Sequence, residues 1–269
     1  HERRNQQFGR LAEAQKHVLD LNHWHEFLKC LSLAGFRSAR MITSDNAVML
    51  TYLIWLIGKV DFKLPSSRLR EVIPQWWFMV HTTARYTGST ESIAEYDLNK
   101  IKAITPGDGE AFCETLIELI RENLTEDFWN ITFPSRIDSA SAKNPRLSAY
   151  WAALNILDAE VLFSNVKVGQ LLDPAITPVR DMERHHLFPR SFLKSEGVSE
   201  RYLRDQIANM AFVDWVENLE ISESAPSVYW DQMTRGLSGE KLSRQMYWHA
   251  LPENWEQMNY EDFLKVRRH

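Results

Sequence analysis

Two adjacent histidines, His185 and His186, sit in the run Arg184-His185-His186-Leu187-Phe188-Pro189, and two asparagines follow at Asn209 and Asn218. A histidine has a reference pKa of about 6.5, so one ring can take a proton from water near neutral pH. The other imidazole and a carboxamide oxygen can hold a divalent cation, which stabilises charge developing on a phosphate and its leaving oxygen. This set suits phosphodiester cleavage with one metal. General-base help is worth about 10²–10⁴ in rate, and the cation several kcal/mol more. Taken alone, a His-His pair in an apolar strand is more often structural than catalytic.

The elements that must position these groups are short. Pro189 removes a backbone donor, so a strand through the histidines stops there. Asn209 lies in Gln206-Ile207-Ala208-Asn209-Met210-Ala211-Phe212-Val213, a second apolar run able to pair back on the first. Asn218 follows in Val216-Glu217-Asn218-Leu219-Glu220-Ile221. The expected order is strand, long polar loop, strand, short helix, with imidazoles at one end and a carboxamide at the other. Glu183, two residues before His185, shares its strand face and is the reserve candidate for an outer-shell metal partner.

His185-His186-Leu187-Phe188-Pro189-Arg190-Ser191-Phe192-Leu193, with Ile207-Ala208-Asn209 and Asn218, resembles the ββα-metal (His-Me finger, or HNH) nuclease core. It is especially similar to the variant at the C-terminus of GmrSD-type, modification-dependent restriction proteins. The HNH domain of CRISPR effector nucleases shares the outline, including the gap between the two asparagines. The resemblance implies that His186 is the general base and His185 a metal ligand, where many relatives have aspartate. It makes Asn218 the second ligand and Asn209 a brace for the loop. The implied cation is Mg²⁺ or Mn²⁺, and the implied partner is double-stranded DNA. Ser222-Glu223-Ser224-Ala225-Pro226-Ser227-Val228-Tyr229 fits the usual continuation. The Phe-Pro step, both asparagines and the Pro-Ser-x-Tyr tail reverse the balance against a merely structural pair.

With 269 residues, two domains are the natural expectation. Cys30 and Cys113 stand far apart and outside any C-x-x-C pattern, which argues against a disulfide scaffold or zinc knuckle and suits a reducing cytoplasm. Two Asn-x-Thr matches, at Asn123 and Asn130, come with no signal peptide and are discounted. The most apolar stretch, residues 47–57, reads as a buried helix and is too short to span a membrane. A start at His-Glu-Arg-Arg suggests a piece of something longer. No G-x-x-x-x-G-K loop occurs, so the nucleotide-binding region usual upstream in the resembled family is expected to lie outside this chain. No G-x-S-x-G elbow occurs either, which leaves a serine-nucleophile hydrolase little support.

The net charge of −5 is awkward for DNA binding, which needs local cations rather than a basic total. Arg190, Lys194, Arg201 and Arg204 supply them beside the proposed site. Arg37 with Arg40, Arg68 with Arg70, and Lys143 with Arg146 read more often as solvated faces.

Ahead of the histidines the chain reads as successive helices. Leu11–Leu31 has apolar positions at helical spacing, and Thr43-Ser44-Asp45-Asn46 caps the next helix. From Pro74 onward Trp76, Trp77, Phe78, Val80 and Tyr86 form an aromatic stripe that reads as core. Arg85 and Tyr86 are the pair that could touch a phosphate, and Asp97 marks a polar helix face. A capping box is expected at Ser92 and Glu95. Residues 111–124 and 147–163 read as further helices, 133–146 as a connector, and 166–180 as a boundary. Residues 230–251 and 255–268 read as closing helices. The expected fold is therefore mainly α: a helical domain over 1–172, then a ββα-metal (His-Me finger/HNH) nuclease core over 173–269. The expected function is metal-dependent nicking or cleavage of DNA in restriction and anti-phage defence. The competing readings are a catalytically silent DNA-binding or assembly module and an RNA-directed nuclease.

Overall fold

The computed structural model describes residues 2–172, 184–213 and 224–269, and the chain is mainly helical. It forms two compact units, residues 1–36 with 42–125 and residues 37–41 with 126–269.

In the first unit, α1 (Glu2–Leu19) and α2 (Leu21–Leu33) divide the single helix expected over Leu11–Leu31. The break falls at Asp20, whose carboxylate accepts from the Asn22 backbone at 2.8 Å and caps α2. Leu11 and Leu21 are exposed, while Phe27, Cys30 and Leu31 are buried, so only the later part of that stripe is core. Ser44 caps α3 (Asp45–Leu56) through the Ala47 backbone, at 3.3 Å. The aromatic stripe lies on α4 (Ser66–Thr83), which contains Pro74 and buries Trp76, Trp77, Met79 and Val80. Next comes α5 (Thr90–Lys102), which starts two residues ahead of Ser92, so a capping box there does not open it. Asp108 caps α6 (Gly109–Asn123).

Arg85, Tyr86 and Asp97 correct the sequence reading. Asp97 is buried rather than on a polar face. Arg85 grips it with two bonds, Nε to Oδ2 at 2.9 Å and Nη2 to Oδ1 at 2.6 Å. The Tyr86 hydroxyl donates to the same carboxylate at 2.6 Å, and Arg85 Nη1 donates to Asn123 Oδ1 at 2.8 Å. With three of its five N–H groups on a buried carboxylate and a carboxamide and only 10% of its side chain exposed, this guanidinium serves the fold rather than a phosphate.

The second unit opens with α7 (Phe133–Arg136), then α8 (Pro145–Ile156), capped by Asn144. The helix expected to reach Phe163 stops seven residues early. Asp158 takes a left-handed φ of 50°, and the Ala159 N–H bonds back to the Leu154 carbonyl at 2.9 Å. Beyond it the buried apolar run Val161-Leu162-Phe163 is not helical, with Leu162 in a bridge and Phe163 turning at a left-handed φ of 66°; a short apolar run is compatible with either state. The Leu162 N–H donates to the Phe212 carbonyl at 3.0 Å, and Leu162 makes a parallel bridge to Val213. After α9 (Val168–Leu172) come β1 (Arg184–His186), α10 (Arg190–Ser195), α11 (Arg201–Arg204) and β2 (Met210–Phe212). The intervening loop thus carries two short α-helices and a 3-10 turn at Ile207–Asn209.

The expected closing helix over 230–251 is split into α12 (Pro226–Thr234) and α13 (Gly239–Trp248), the second capped by Ser238. A 3-10 turn at Trp255–Gln257 leads into α14 (Tyr260–Arg268), capped by Asn259. The core joins Leu162, Phe163, Leu187, Phe188, Leu193, Ala211, Tyr229, Trp230, Trp255 and Phe263. This unit begins well ahead of the expected boundary at 172/173. Trp151 packs its ring 5.4 Å from Phe212, and Phe163 N–H donates to Gln245 Oε1 at 2.9 Å, so residues before 172 belong to the same packing. Among the described residues no helix is long and apolar enough to cross a membrane.

Candidate functional site

Strands β1 and β2 pair antiparallel, with Arg184 opposite Phe212, His185 opposite Ala211 and His186 opposite Met210. Successive side chains of a regular strand point to opposite faces. His185 is buried, whereas His186, the last strand residue, keeps 14% of its side chain exposed.

The chain leaving β1 is pinned by its neighbours. Asn209 Oδ1 accepts from the Phe188 N–H at 2.8 Å, and Asn209 Nδ2 donates to the carbonyls of Phe188 (3.1 Å) and Arg204 (3.0 Å). The Leu187 N–H donates to the Asn209 carbonyl at 2.9 Å, and the Tyr229 hydroxyl donates to the Leu187 carbonyl at 2.6 Å. With backbone groups this fully partnered, the turn after His186 has little room to shift. The Phe188 ring, buried 4.9 Å from Phe263 and 5.8 Å from Trp255, anchors it in the core. Burial of a phenyl ring contributes about 1.5–3 kcal/mol. From α14, the buried Arg267 guanidinium donates to the Ala208 carbonyl at 2.6 Å and to the His249 carbonyl at 3.0 and 3.1 Å.

Asp205 is the centre of the local charge. His186 Nε2 lies 3.0 Å from Asp205 Oδ1. Arg190 donates through Nε to Oδ1 at 2.8 Å and through Nη2 to Oδ2 at 2.9 Å, and Arg201 Nε donates to Oδ2 at 3.2 Å. Burial pushes the Asp205 carboxyl up, but the bonds from Arg190 and Arg201, the Arg190 charge and the His186 bond outweigh it and hold it at about 2. The carboxylate is an acceptor only, so its bond to His186 requires a proton on Nε2.

The structure brings His185, His186 and Asn209 together at one end of the ribbon. Arg190 and Arg201 are bound to Asp205 rather than turned wholly outward; Lys194 is exposed, and Arg204 is half-buried, with its carbonyl taken by Asn209 and by the Tyr260 hydroxyl at 3.2 Å. Glu183, Asn218 and Ser222-Glu223 lie outside the described residues. Asp205 is the residue that sequence reasoning missed. Its signal was an acid four residues after Arg201 and four before Asn209, in a loop read only for its cations.

A cation can be weighed only against the donors present. Both Asp205 oxygens already accept from guanidinium groups, so a cation there would face two positive charges. Among the described residues no three His, Cys, Asp or Glu side chains converge as a metal site. The described donors alone therefore do not fit a cation. Also in this unit, a cleft of about 1060 Å³ is lined by Phe188, Phe192, Tyr202, Tyr260 and Arg268, and neither His186 nor Asp205 faces it.

No family model matches the chain, and no solved structure matches it. The chain is 25% identical over 171 residues to an uncharacterised protein, MJ0686, of Methanocaldococcus jannaschii. That similarity takes in 64% of this chain and 27% of the relative, so it covers about a quarter of the archaeal protein's length.

Proposed function

We propose that the second unit carries a phosphodiester-cleaving site of the ββα-metal (His-Me finger) kind, acting on DNA as an endonuclease in restriction or anti-phage defence. The observation that carries this reading is His186. It ends β1 partly exposed, has its ring held by an ionised carboxylate, and is followed by a turn pinned through Asn209. In the reaction, His186 takes a proton from water, the water oxygen forms a bond to phosphorus, and the P–O3′ bond opposite breaks. A divalent cation, when bound, would neutralise charge on the phosphate and the leaving oxygen. Holding it falls to His185 with Asn218 on the family resemblance, and an imidazole-containing set favours Mn²⁺ over Mg²⁺. Exposed Lys194 and the outer edges of Arg190 and Arg201 are the cations available to a DNA backbone. The upstream nucleotide-binding domain implied by the resemblance would supply recruitment and triggering.

The catalytically silent module is the second reading, favoured by Asp205, whose two oxygens are already taken up by Arg190 and Arg201. Supercoiled plasmid and a structured RNA, each incubated with Mn²⁺, Mg²⁺ or EDTA, separate the readings. The nuclease reading expects open-circular plasmid with Mn²⁺, intact plasmid in EDTA, and little RNA product. His186→Ala should lower nicking by 100-fold or more, within the ~10²–10⁴ of a general base, with unchanged circular dichroism. Full activity in EDTA, or in the His186 variant, would remove the assignment.

A further inference from the structure

The cleft of the second unit takes no part in the site around His186, and its lining has a chemistry of its own. Part of that lining is Phe192, Val198, Tyr202 and Leu203, on and between α10 and α11. Another part is Met258 and Tyr260, around the start of α14. Tyr202 and Leu203 are exposed, and Phe192, Val198, Met258 and Tyr260 are half-buried, so this apolar surface is left in water. Phe188, Leu193 and Leu264 beside them are buried and hold it to the core.

The lining is also acidic. Asp138, Glu196, Glu256 and Glu261 stand against Lys265 and Arg268, and both cations are already engaged. Lys265 Nζ lies 3.1 Å from Glu261 and 3.8 Å from Asp262, and Arg268 Nη2 lies 3.0 Å from Asp138. Among the described residues no cation pairs with Glu196 or Glu256. Phosphate is repelled by such a surface, which disfavours a nucleic acid. An incoming Lys or Arg, by contrast, meets both a carboxylate and the face of an aromatic ring. The volume, about 1060 Å³, lies at the top of the roughly 300–1,000 Å³ of small-molecule pockets. A groove between helices with apolar lining is the form that receives one face of an amphipathic helix.

We propose that this cleft is a docking site for a basic amphipathic helix of a partner protein. Apolar side chains at helical spacing fill the space lined by Tyr202, Leu203, Met258 and Tyr260, and flanking Lys or Arg residues pair with Glu196 and Glu256. The inference stands independently of the nuclease reading, since neither His186 nor Asp205 lines the cleft.

Fluorescence anisotropy tests it, with the full chain titrated into three labelled peptides of about 14 residues, roughly four helical turns. One carries Leu at helical spacing with Lys between; the second has Glu for Lys, and the third Ser for Leu. Saturable binding is expected for the Leu/Lys peptide, with Kd at least about tenfold weaker for each of the others. Glu196→Lys combined with Glu256→Lys should weaken that binding about tenfold, because like charges then face each other. Glu91→Lys combined with Glu122→Lys, both exposed in the first unit, changes net charge equally and should weaken it less than about twofold. Spectra of ¹³C-methyl methionine locate the peptide directly: Met258 should shift on titration, while exposed Met49 of the first unit stays in place. These wild-type spectra keep the inference testable if a variant fails to fold. Equal binding of the Leu/Glu peptide, an equal loss in the two double variants, or an unmoved Met258 at saturation overturns the proposal. So does a single-stranded oligonucleotide that shifts Met258 in place of the peptide. A dimer in ultracentrifugation that Glu196→Lys with Glu256→Lys dissociates would give the cleft to a second copy of the chain, and overturns it too.

Discussion

Each unit of this chain contains an aspartate gripped in a fork by an arginine, and the two clusters have opposite characters. In the first unit Asp97 is 1% exposed, Arg85 is 10% exposed, and the third member is a tyrosine hydroxyl. Burial of Tyr86, together with the Asp97 charge, pushes its hydroxyl far above the usual range, so it stays a donor at any physiological pH. In the second unit Asp205 is held by arginines that are 53% and 86% exposed, and the third member is a histidine at the end of a strand. The same fork serves two ends. Sealed and closed by a group that does not titrate, it is a structural rivet. Opened to solvent and closed by an imidazole, it holds a group able to move protons.

The comparison breaks most severely at Asp97. Replacing it with alanine strands the Arg85 guanidinium in a largely dry site, and losing one partner of a buried pair costs about 3–5 kcal/mol. Urea unfolding of Asp97→Ala should show the first unit melting early, with plasmid nicking retained wherever the second unit remains folded. A loss below about 1 kcal/mol would mean that the fork is not the rivet described here.

His249 sharpens the contrast from inside the second unit. Burial pushes this histidine down to about 4; the Nε2 bond to the Glu160 carbonyl at 2.9 Å offsets that only partly, and the Arg267 charge adds to the lowering. The sign follows from linkage. The folded-state value lies below the unfolded value of about 6.5, so protons bind the unfolded chain more tightly, and stability falls as the pH drops from about 6.5 to about 4. The loss approaches roughly 3 kcal/mol at 1.36 kcal/mol per pKa unit. Urea midpoints of the second unit across that window should decline in the wild type and much less in His249→Gln. A flat wild-type profile would sink the claim. His186 and His249 thus show one side chain used twice: left at an edge with a carboxylate in one case, sealed neutral against a carbonyl in the other.

How much of this was legible in the sequence depends on the range of the interaction. The helical character, the core tryptophans and the Ser44 cap follow from local patterns acting within one turn. The pairing of the Met210–Phe212 segment with the histidine segment followed from two apolar runs either side of a polar loop. Asp97 was misread because helix periodicity assigns a face without saying what another element presents to it, and Arg85 turns that face inward. The end of α8 was misread because Val161-Leu162-Phe163 satisfies helix and strand alike, and the strand β2 decides. Asp205 was passed over since its partners His186 and Arg190 lie 19 and 15 residues away, a separation no local rule covers. Glu183 and Asn218 lie outside the described residues, so the cation half of the site still rests on resemblance.

The smallest expected effect tests the open character of the second cluster. Arg201 is almost fully exposed and gives Asp205 one bond, at 3.2 Å, across a single helical turn. Pairs of this kind contribute about 0.2–1 kcal/mol or less, screened by salt. Arg201→Gln should therefore leave the unfolding midpoint nearly unchanged. Its effect should appear in Asp205 itself, whose carboxyl should titrate above its value of about 2 yet below the ordinary 3.8, since Arg190 keeps both of its bonds. Arg190→Gln should raise it further. Because the folded-state value is depressed, the cluster's contribution is full above about pH 4 and is lost as the pH falls through about 2, so neither variant should alter stability differently at pH 6 and pH 8 through this group. Carboxyl ¹³C titration of Asp205 in the three proteins ranks the two arginines. An Arg201 effect equal to that of Arg190 would show that the exposed arm grips as firmly as the fork, and the contrast with the sealed Asp97 cluster would weaken accordingly.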